Sequence, residues 1–484
     1  MILIRMLIFL GLMGMPFLHA ADTLSLADVL SLARTQSLPA FRARADFMQA
    51  KYRHQQFVAG LFPQISLAGT IPNYTKTFSQ TTQPDGTIAF QRIAYNNAFL
   101  EMEISQTVAA TGTRLFLQSN LQQYDDFSSD FRRFNGVPLR IGLQQTLSAW
   151  NPQRWQQRLD PVQVAESARQ YQYDLEATAQ AALLLFFDLL LAQIDGELAD
   201  ANLTGSLTLL DIARARYERG KISENDLLQL ELEQINARKS VNDAHQAIFL
   251  ATTRLSNFLR LQGRPEIYLL TPDATALPEV NLNDALRHAS GNRPEYKTWE
   301  RRRLEAAQET ARARAQNGFQ ATVPASLGYA GSAATISPIY QSPQAEQGAW
   351  VTLSIPLVNW GRGKAARGLA ETELEYINQW ASQQELELET TVAQTLSAWK
   401  QARQTLGFAL QAQEIARRQF EISQDRYRLG EISTTDLTLS LRAKDISRRN
   451  YAGSLRDYWI TRQQMRLLTL YDFTNDTPIF HPLP

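Results

Sequence analysis

The 484-residue chain has no cysteine and no excess of charge, 48 basic residues balancing 48 acidic ones. The missing thiols exclude a disulfide framework, thiolate metal sites and a lipidated N-terminal cysteine; they suit an oxidising compartment without requiring one. The mature N-terminus is therefore expected to carry no lipid. Balanced charge offers neither a nucleic-acid footprint nor a polybasic membrane anchor, so no nucleic-acid partner is expected. Histidine is scarce: beyond the N-terminal segment only His54, His245, His288 and His481 occur, without HxH or HExxH spacing. No catalytic, cofactor or metal site is expected from them, and the run Glu385, Glu387, Glu389 reads as a solvated helix face. Past the N-terminal segment there is also no uninterrupted apolar run of about twenty residues, the length a spanning helix needs. A chain of this kind crosses a membrane only as a closed barrel.

The apolar run at the start is of another type. Arg5 precedes the stretch Met6 to Leu18, and Leu18-His19-Ala20 follows as a small-residue cleavage pattern, so residues 1–20 read as a signal peptide of an exported protein. Two very long stretches, Val162 to Arg264 and Leu357 to Thr477, lack proline. Both are rich in Ala, Leu, Gln, Glu and Arg, with apolar residues at three- and four-residue steps, which predicts long amphipathic helices. Such a stripe suits a coiled-coil-like layer and a plain helical bundle equally.

Each stretch is interrupted by the same phrase. "RYERGKISENDL" begins at Arg216 and "RYRLGEISTTDL" at Arg426. Gly220 and Gly430 stand where a left-handed residue ends a helix, and Ser223 and Ser433 precede Asp226 and Asp436 by three, as in a capping box. Each copy therefore predicts a tight helix-turn-helix tip, with Tyr217 and Tyr427 closing the preceding turn against Leu227 and Leu437. The same offset of 210 relates "QQTLSAWNPQRW" to "SIPLVNWGRGKA", whereas "LSLADVLSLARTQSLPAF" and "VNLNDALRHASGNRPEY" are 256 apart. The expected plan is a tandem duplication: a first repeat over 21–264, a linker over 265–281, a second repeat over 282–473 and a tail over 474–484. Spacing predicts single helices of about 35 residues from Leu26 to Gly60 and from Leu282 to Gly318, each rising roughly 1.5 Å per residue. Alternating stretches such as "FLEMEIS", "LRIGLQQTL" and "VTLSIPLV" predict strands with one apolar face, a pattern shared by lipid-facing barrels and soluble sandwiches.

Taken in order and duplicated, "LFPQISL" matched to "ATVPASL" at Pro63 and Pro324, the two strand-to-helix passages and the two tips resemble the TolC-type outer-membrane efflux protein family over nearly the whole mature chain. The resemblance implies an α+β membrane protein: a homotrimer in which each chain gives four strands to a twelve-stranded outer-membrane β-barrel and helices to a long periplasmic coiled-coil tunnel. It implies an exit duct in a Gram-negative type envelope, partnered by outer-membrane lipid, a periplasmic adaptor (membrane fusion protein) and an inner-membrane pump, with no cofactor and no enzyme activity. Tyr217, Gly220, Ser223, Asp226, Tyr427, Gly430, Ser433 and Asp436 would then form the periplasmic mouth and the adaptor contact. Trp150, Pro152, Trp360 and Gly361 would mark the junction of strand and helix, with Trp150, Trp350, Trp360 and Tyr95 available to an interfacial girdle.

Two departures qualify this. Leu439 and Ile432 stand where some members carry an acid and a base, which leaves open whether Asp436 alone forms a ring, with apolar closure around it. The first half also carries about 51 extra residues, near 73–135, either an external hairpin or additional barrel strands. Cargo is not written in the sequence. A structural or adhesive surface protein with a helical stalk remains the alternative, though it gives no reason for a doubled tip or for strands in both halves.

Overall fold

The computed structural model describes residues 22–147, 150–261, 267–273 and 279–484; the segment read as a signal peptide lies outside them. In chain order the first half comprises β1 (Asp22–Leu24), α1 (Leu26–Gln36), α2 (Leu38–Gly60), β2 (Gln64–Thr70), β3 (Tyr74–Thr82), β4 (Ile88–Val108), β5 (Thr113–Asp126), β6 (Phe131–Leu147), α3 (Pro152–Glu218) and α4 (Glu224–Leu259). The second comprises β7 (Ile267–Leu269), α5 (Leu282–Asn292), α6 (Pro294–Gln316), β8 (Gln320–Ala333), α7 (Ser337–Gln341), β9 (Gln344–Ala349), β10 (Thr352–Ser354), α8 (Arg362–Leu429) and α9 (Thr434–Thr469). A short terminal pair, β11 (Tyr471–Asp472) and β12 (Thr477–Pro478), ends the chain.

The elements recur at two offsets. Helix starts Leu26 and Leu282 and strand starts Gln64 and Gln320 differ by 256, whereas Pro152 and Arg362, and Glu224 and Thr434, differ by 210. The structure corrects two readings here. Pro63 and Pro324 are not equivalent: Pro63 precedes β2, whereas Pro324 lies inside β8, and the extra length of the first half is the fall from 256 to 210, 46 residues. The single helices of about 35 residues are each broken into segments of 11 and 23 residues, at Ser37 and at Arg293. Both break residues are extended, Ser37 with ψ 154° and Arg293 with ψ 141°. Arg293 is held there by the following Pro294, whose ring excludes helical backbone before it. In the first half Ser37 itself recaps the chain, its hydroxyl donating to the Ala33 carbonyl at 2.6 Å and accepting from the Ala40 amide at 3.3 Å.

Chain contacts divide into two compact units. One holds residues up to Phe47, Arg169–Arg293 and Glu387–Pro484; the other holds Met48–Ala168 and Pro294–Leu386. The first unit is helical. Its core centres on the apolar middle of α3, where Leu183, Phe186, Phe187 and Leu189 meet Val29, Leu255, Leu259, Leu396, Leu455 and Met465. Among the described residues α3 is the one helix with a window apolar enough to cross a membrane by composition. Half of that window is buried, and Phe186, Phe187 and Leu189 of the same helix are fully buried against neighbouring helices. Deeper in the same unit Glu176 is fully enclosed, 2.9 Å from Arg34, 2.9 Å from His481 Nε2, 3.5 Å from Arg466 and 2.9 Å from the Gln463 amide. Burial would raise its pKa, but the hydrogen bond with His481 and the charges of Arg34 and Arg466 outweigh it and hold the carboxyl down at about 2. Within the presumed linker, β7 pairs in parallel with β1, and the Gln193 side chain clamps both the Ile267 carbonyl and the Leu269 amide.

The second unit carries one antiparallel sheet in the order β10, β8, β6, β5, β4, β2, with β3 on β4 and β9 on β8. β2 and β3 occupy one lane against β4, and β9 and β10 one lane against β8, so the sheet has six lanes. Residues paired directly across strands share a face. One row runs Ile65, Ile104, Leu117, Ile141, Leu327, Gln347; the next runs Ser66, Glu103, Gln118, Arg140, Gly328, Glu346. The sheet thus has an apolar face and a polar face. The polar one is cross-linked by Arg114 to Glu103 at 2.5 Å, Arg140 to Glu346 at 2.7 Å and a Gln118–Glu101 hydrogen bond. The "VTLSIPLV" strand is shorter than its alternation predicts: only Thr352–Ser354 pairs, because Pro356 lacks the amide a continuing ladder needs.

Candidate functional site: the paired helical tips

The two copies of the repeated phrase fold alike, bond for bond. At the first, Gly220 takes φ +66°, its amide donates to the Tyr217 carbonyl at 2.8 Å, and the Lys221 amide donates to the Arg216 carbonyl at 2.9 Å. At the second, Gly430 takes φ +82°, with Gly430 to Tyr427 and Glu431 to Arg426 both at 2.9 Å. These are the two bonds of a Schellman ending, and the positive φ is why glycine occupies both positions. Three residues later a new helix begins. The Ser223 hydroxyl accepts from the Asp226 amide at 3.2 Å while the Asp226 carboxylate accepts from the Ser223 amide at 3.1 Å and hydroxyl at 2.7 Å; Ser433 and Asp436 repeat all three distances. Serine hydroxyl and amide donation lower both carboxyl pKa values from the usual aspartate range, and both acids stay ionised at the start of a helix, whose dipole favours the charge.

The side chains around the two turns differ. Tyr427 is 3% exposed and Leu437 is buried, whereas Tyr217 is 42% exposed and Leu227 half-buried. The closing role expected of both tyrosines therefore falls to unequal partners. The difference has a visible cause: the Arg216 guanidinium lies 5.1 Å over the Tyr427 ring and its Nη2 donates to the Tyr427 carbonyl at 3.3 Å. Arg426, its counterpart, pairs with Glu431 at 3.2 Å across its own turn. The first tip is filled by a small cluster of its own, Leu210, Ala213 and Leu230, with Leu209, Ile222 and Leu227 against them. Leu439, three residues after Asp436, is 69% exposed.

Arg216 was not singled out in the sequence, though it opens the first copy of the phrase. Its role depends on the second copy lying beside it, and nothing within twelve residues reports that. Further along the same helices, ionic and polar contacts hold α9 beside α3: Asp195 to Arg449 at 2.6 Å, Asn202 to Asp445 at 2.6 Å and Glu197 to Arg448 at 3.2 Å. Most are exposed and worth little individually. They fix alignment between the hairpins more than stability.

At the strand-to-helix passages the repeats also diverge. Pro152 starts α3 at the position where a missing amide costs nothing, and Asn151 caps it, accepting from the Arg154 amide at 3.1 Å while donating to the Ala109 carbonyl at 2.8 Å. In the second repeat Trp360 (φ +50°) and Gly361 (φ +85°) make a left-handed turn before α8. Trp360 projects 95% exposed, whereas Trp150 is half-buried. Among the described residues no group of His, Asp or Glu is arranged to hold a metal ion.

A sheet with one apolar and one polar face is followed in each half of the chain by a helix of 67 or 68 residues that turns at a glycine-centred tip. Residues 287–469, in the second half of the chain, match the family model described as outer membrane efflux protein. Solved structures extend the likeness in fold to almost the whole chain. The CmeC outer membrane channel of Campylobacter jejuni aligns with a TM-score of 0.67 at 12% identity, over 95% of this chain and 87% of its own. The outer-membrane channel OprN gives 0.66 at 15% identity, over 93% and 90%. The outer membrane protein VceC of Vibrio cholerae gives 0.63 at 13%, over 94% and 97%. No curated protein matches.

Proposed function

We propose that the chain is the exit duct of a tripartite efflux or secretion system, a passive gated pore formed by three copies. The observation that carries the reading is the sheet: one face is apolar, the other polar, and among the described residues both end lanes, β2/β3 and β9/β10, have an unpaired edge. In hydrocarbon an open edge is untenable, so such a sheet must close against further copies of itself. Exposed apolar side chains on the helices, including Leu232 and Ile235 on α4 and Phe408 and Ile415 on α8, favour the same self-association. On this reading the two tips of each copy make six around the periplasmic mouth. Tyr217, Gly220, Ser223, Asp226, Tyr427, Gly430, Ser433 and Asp436 shape the turns on which a periplasmic adaptor docks, and an inner-membrane pump supplies the energy. Arg216 clasping Tyr427 holds the two hairpins of one copy together, and opening the mouth requires that clasp to loosen.

Conductance of the purified protein in a planar bilayer tests the proposal. The wild type is expected to conduct weakly, Arg216→Ala to conduct more, and a cysteine pair stapling the two tips to conduct less, with recovery on reduction. Folded oligomers extracted from membrane that conduct in none of these forms would leave the stalk reading standing.

A further inference from the structure

The extra residues of the first half lie within the plane of the sheet. In the second repeat β8 and the β9/β10 lane pair directly. Their equivalents by chain position, β2 and β6, do not: β4 and β5 stand between them, β4 paired to β2 over seven residues and β5 to β6 over twelve. The inserted lanes also reach the level where strands meet helices. The turn joining them, around Gly112, is met by Asn151 at the start of α3, and β2, which begins four residues after α2, pairs with Phe99–Ser105 of β4.

The alternation on the inserted lanes continues that of the rest of the sheet. Ile104, Met102 and Leu100 on β4, and Leu115, Leu117 and Leu121 on β5, fall on the apolar side, together with Gln106 and Ser119; Glu101, Glu103, Gln118 and Gln122 fall on the polar side, together with Phe99 and Phe116. A hairpin standing in water above a barrel has no use for a mostly apolar face over this stretch. One lining a pore on one side and touching lipid on the other requires it.

We infer that the β4–β5 hairpin is part of the barrel wall, so that each copy supplies six lanes and three copies close an eighteen-stranded barrel. The count of copies rests on the reading proposed above; the place of the hairpin does not. Because barrel diameter grows roughly linearly with strand number, the lumen is about half as wide again as that of twelve strands, in the range where porins hold open water. The β-barrel is then no barrier to bulky solutes, and selection by size falls to the helical tips. The ring of Glu101, Glu103, Arg114, Gln118 and Arg140 from each copy lines this wider passage.

The absence of cysteine makes the test clean, since each introduced thiol is unique. Ile104→Cys and Leu117→Cys on the apolar row, Glu103→Cys and Gln118→Cys on the polar row, and Ile65→Cys on β2 as reference are carried by the full chain reconstituted in lipid. A charged maleimide is expected to label positions 103 and 118 at least about tenfold faster than 104, 117 and 65, given what a charge costs in hydrocarbon. A bimane fluorophore at 104 or 117 is expected to be quenched by brominated lipid as strongly as at 65. Labelling of 104 and 117 as fast as 103 and 118, without lipid quenching while 65 is quenched, overturns the place of the hairpin in the wall. Native mass measurement of the extracted complex is expected to give three copies. Any other number overturns the eighteen-strand count and the three-copy reading together, and leaves the lipid-facing result unaffected.

Discussion

Glu176 shows how much of this chain is decided one residue at a time. Four polar partners from α1, α9 and the tail converge on a carboxylate with no solvent contact. With a pKa of about 2 when folded against 4.5 for the free side chain, its contribution to stability is present in full above the unfolded value. It is lost as pH falls through that window, and the size of the shift corresponds to roughly 3 kcal/mol. Glu176→Gln is expected to melt at lower temperature than the wild type at pH 7, and the gap should narrow towards pH 3. Melting curves of both proteins across that range check it; a gap independent of pH would mean that shape and not charge is what the site requires. His481, one of the partners, read as an isolated histidine in the sequence. Its meaning lay 305 residues away.

At the scale of elements, the tips were legible because their chemistry is local. Gly220, Ser223 and Asp226 each act on backbone within five residues, and so do Gly430, Ser433 and Asp436. Replacing Gly430 by Val forces a β-branched residue into the left-handed region, at a cost on the order of 1–2 kcal/mol. Since a Cβ there meets open space, that cost is conformational alone. Amide hydrogen exchange at the start of α9 is expected to quicken in Gly430→Val and much less in Gly430→Asn, because asparagine tolerates the left-handed region; equal effects would locate the penalty elsewhere. The helix breaks at Ser37 and Arg293 were less legible, although Pro39 and Pro294 were in plain view. Both prolines fall inside the spans read as single helices, and the stop and restart of the chain within one residue shows only in the structure. The extra strands were visible as alternation, yet their lane in the sheet was not. Neighbourhood between β2 and β4, or between β6 and β8, is a matter of long-range pairing that period-two patterning cannot encode.

At the scale of the whole molecule, the open edges of the sheet make the strongest demand. Among the described residues the sheet has six lanes, with β2/β3 presenting one free edge and β9/β10 the other, and no sheet so narrow closes on itself around a passage, since even eight strands leave an interior that side chains fill. On the proposed reading, association through these edges has a direction, the β2 lane of one copy meeting the β9/β10 lane of the next, and a head-to-tail contact of this kind either closes into a ring or runs on as a filament. A doubly substituted chain, Ser66→Cys on β2 and Glu346→Cys on β9, separates the outcomes. Treated in the membrane with a bifunctional maleimide, it is expected to give denaturation-resistant dimers and trimers and nothing larger, whereas either single substitution gives only monomer. Products that stop at dimer, or that climb past trimer, would rule out closure by three, and bands from Ser66→Cys alone would mean that like edges meet and the contact is two-fold.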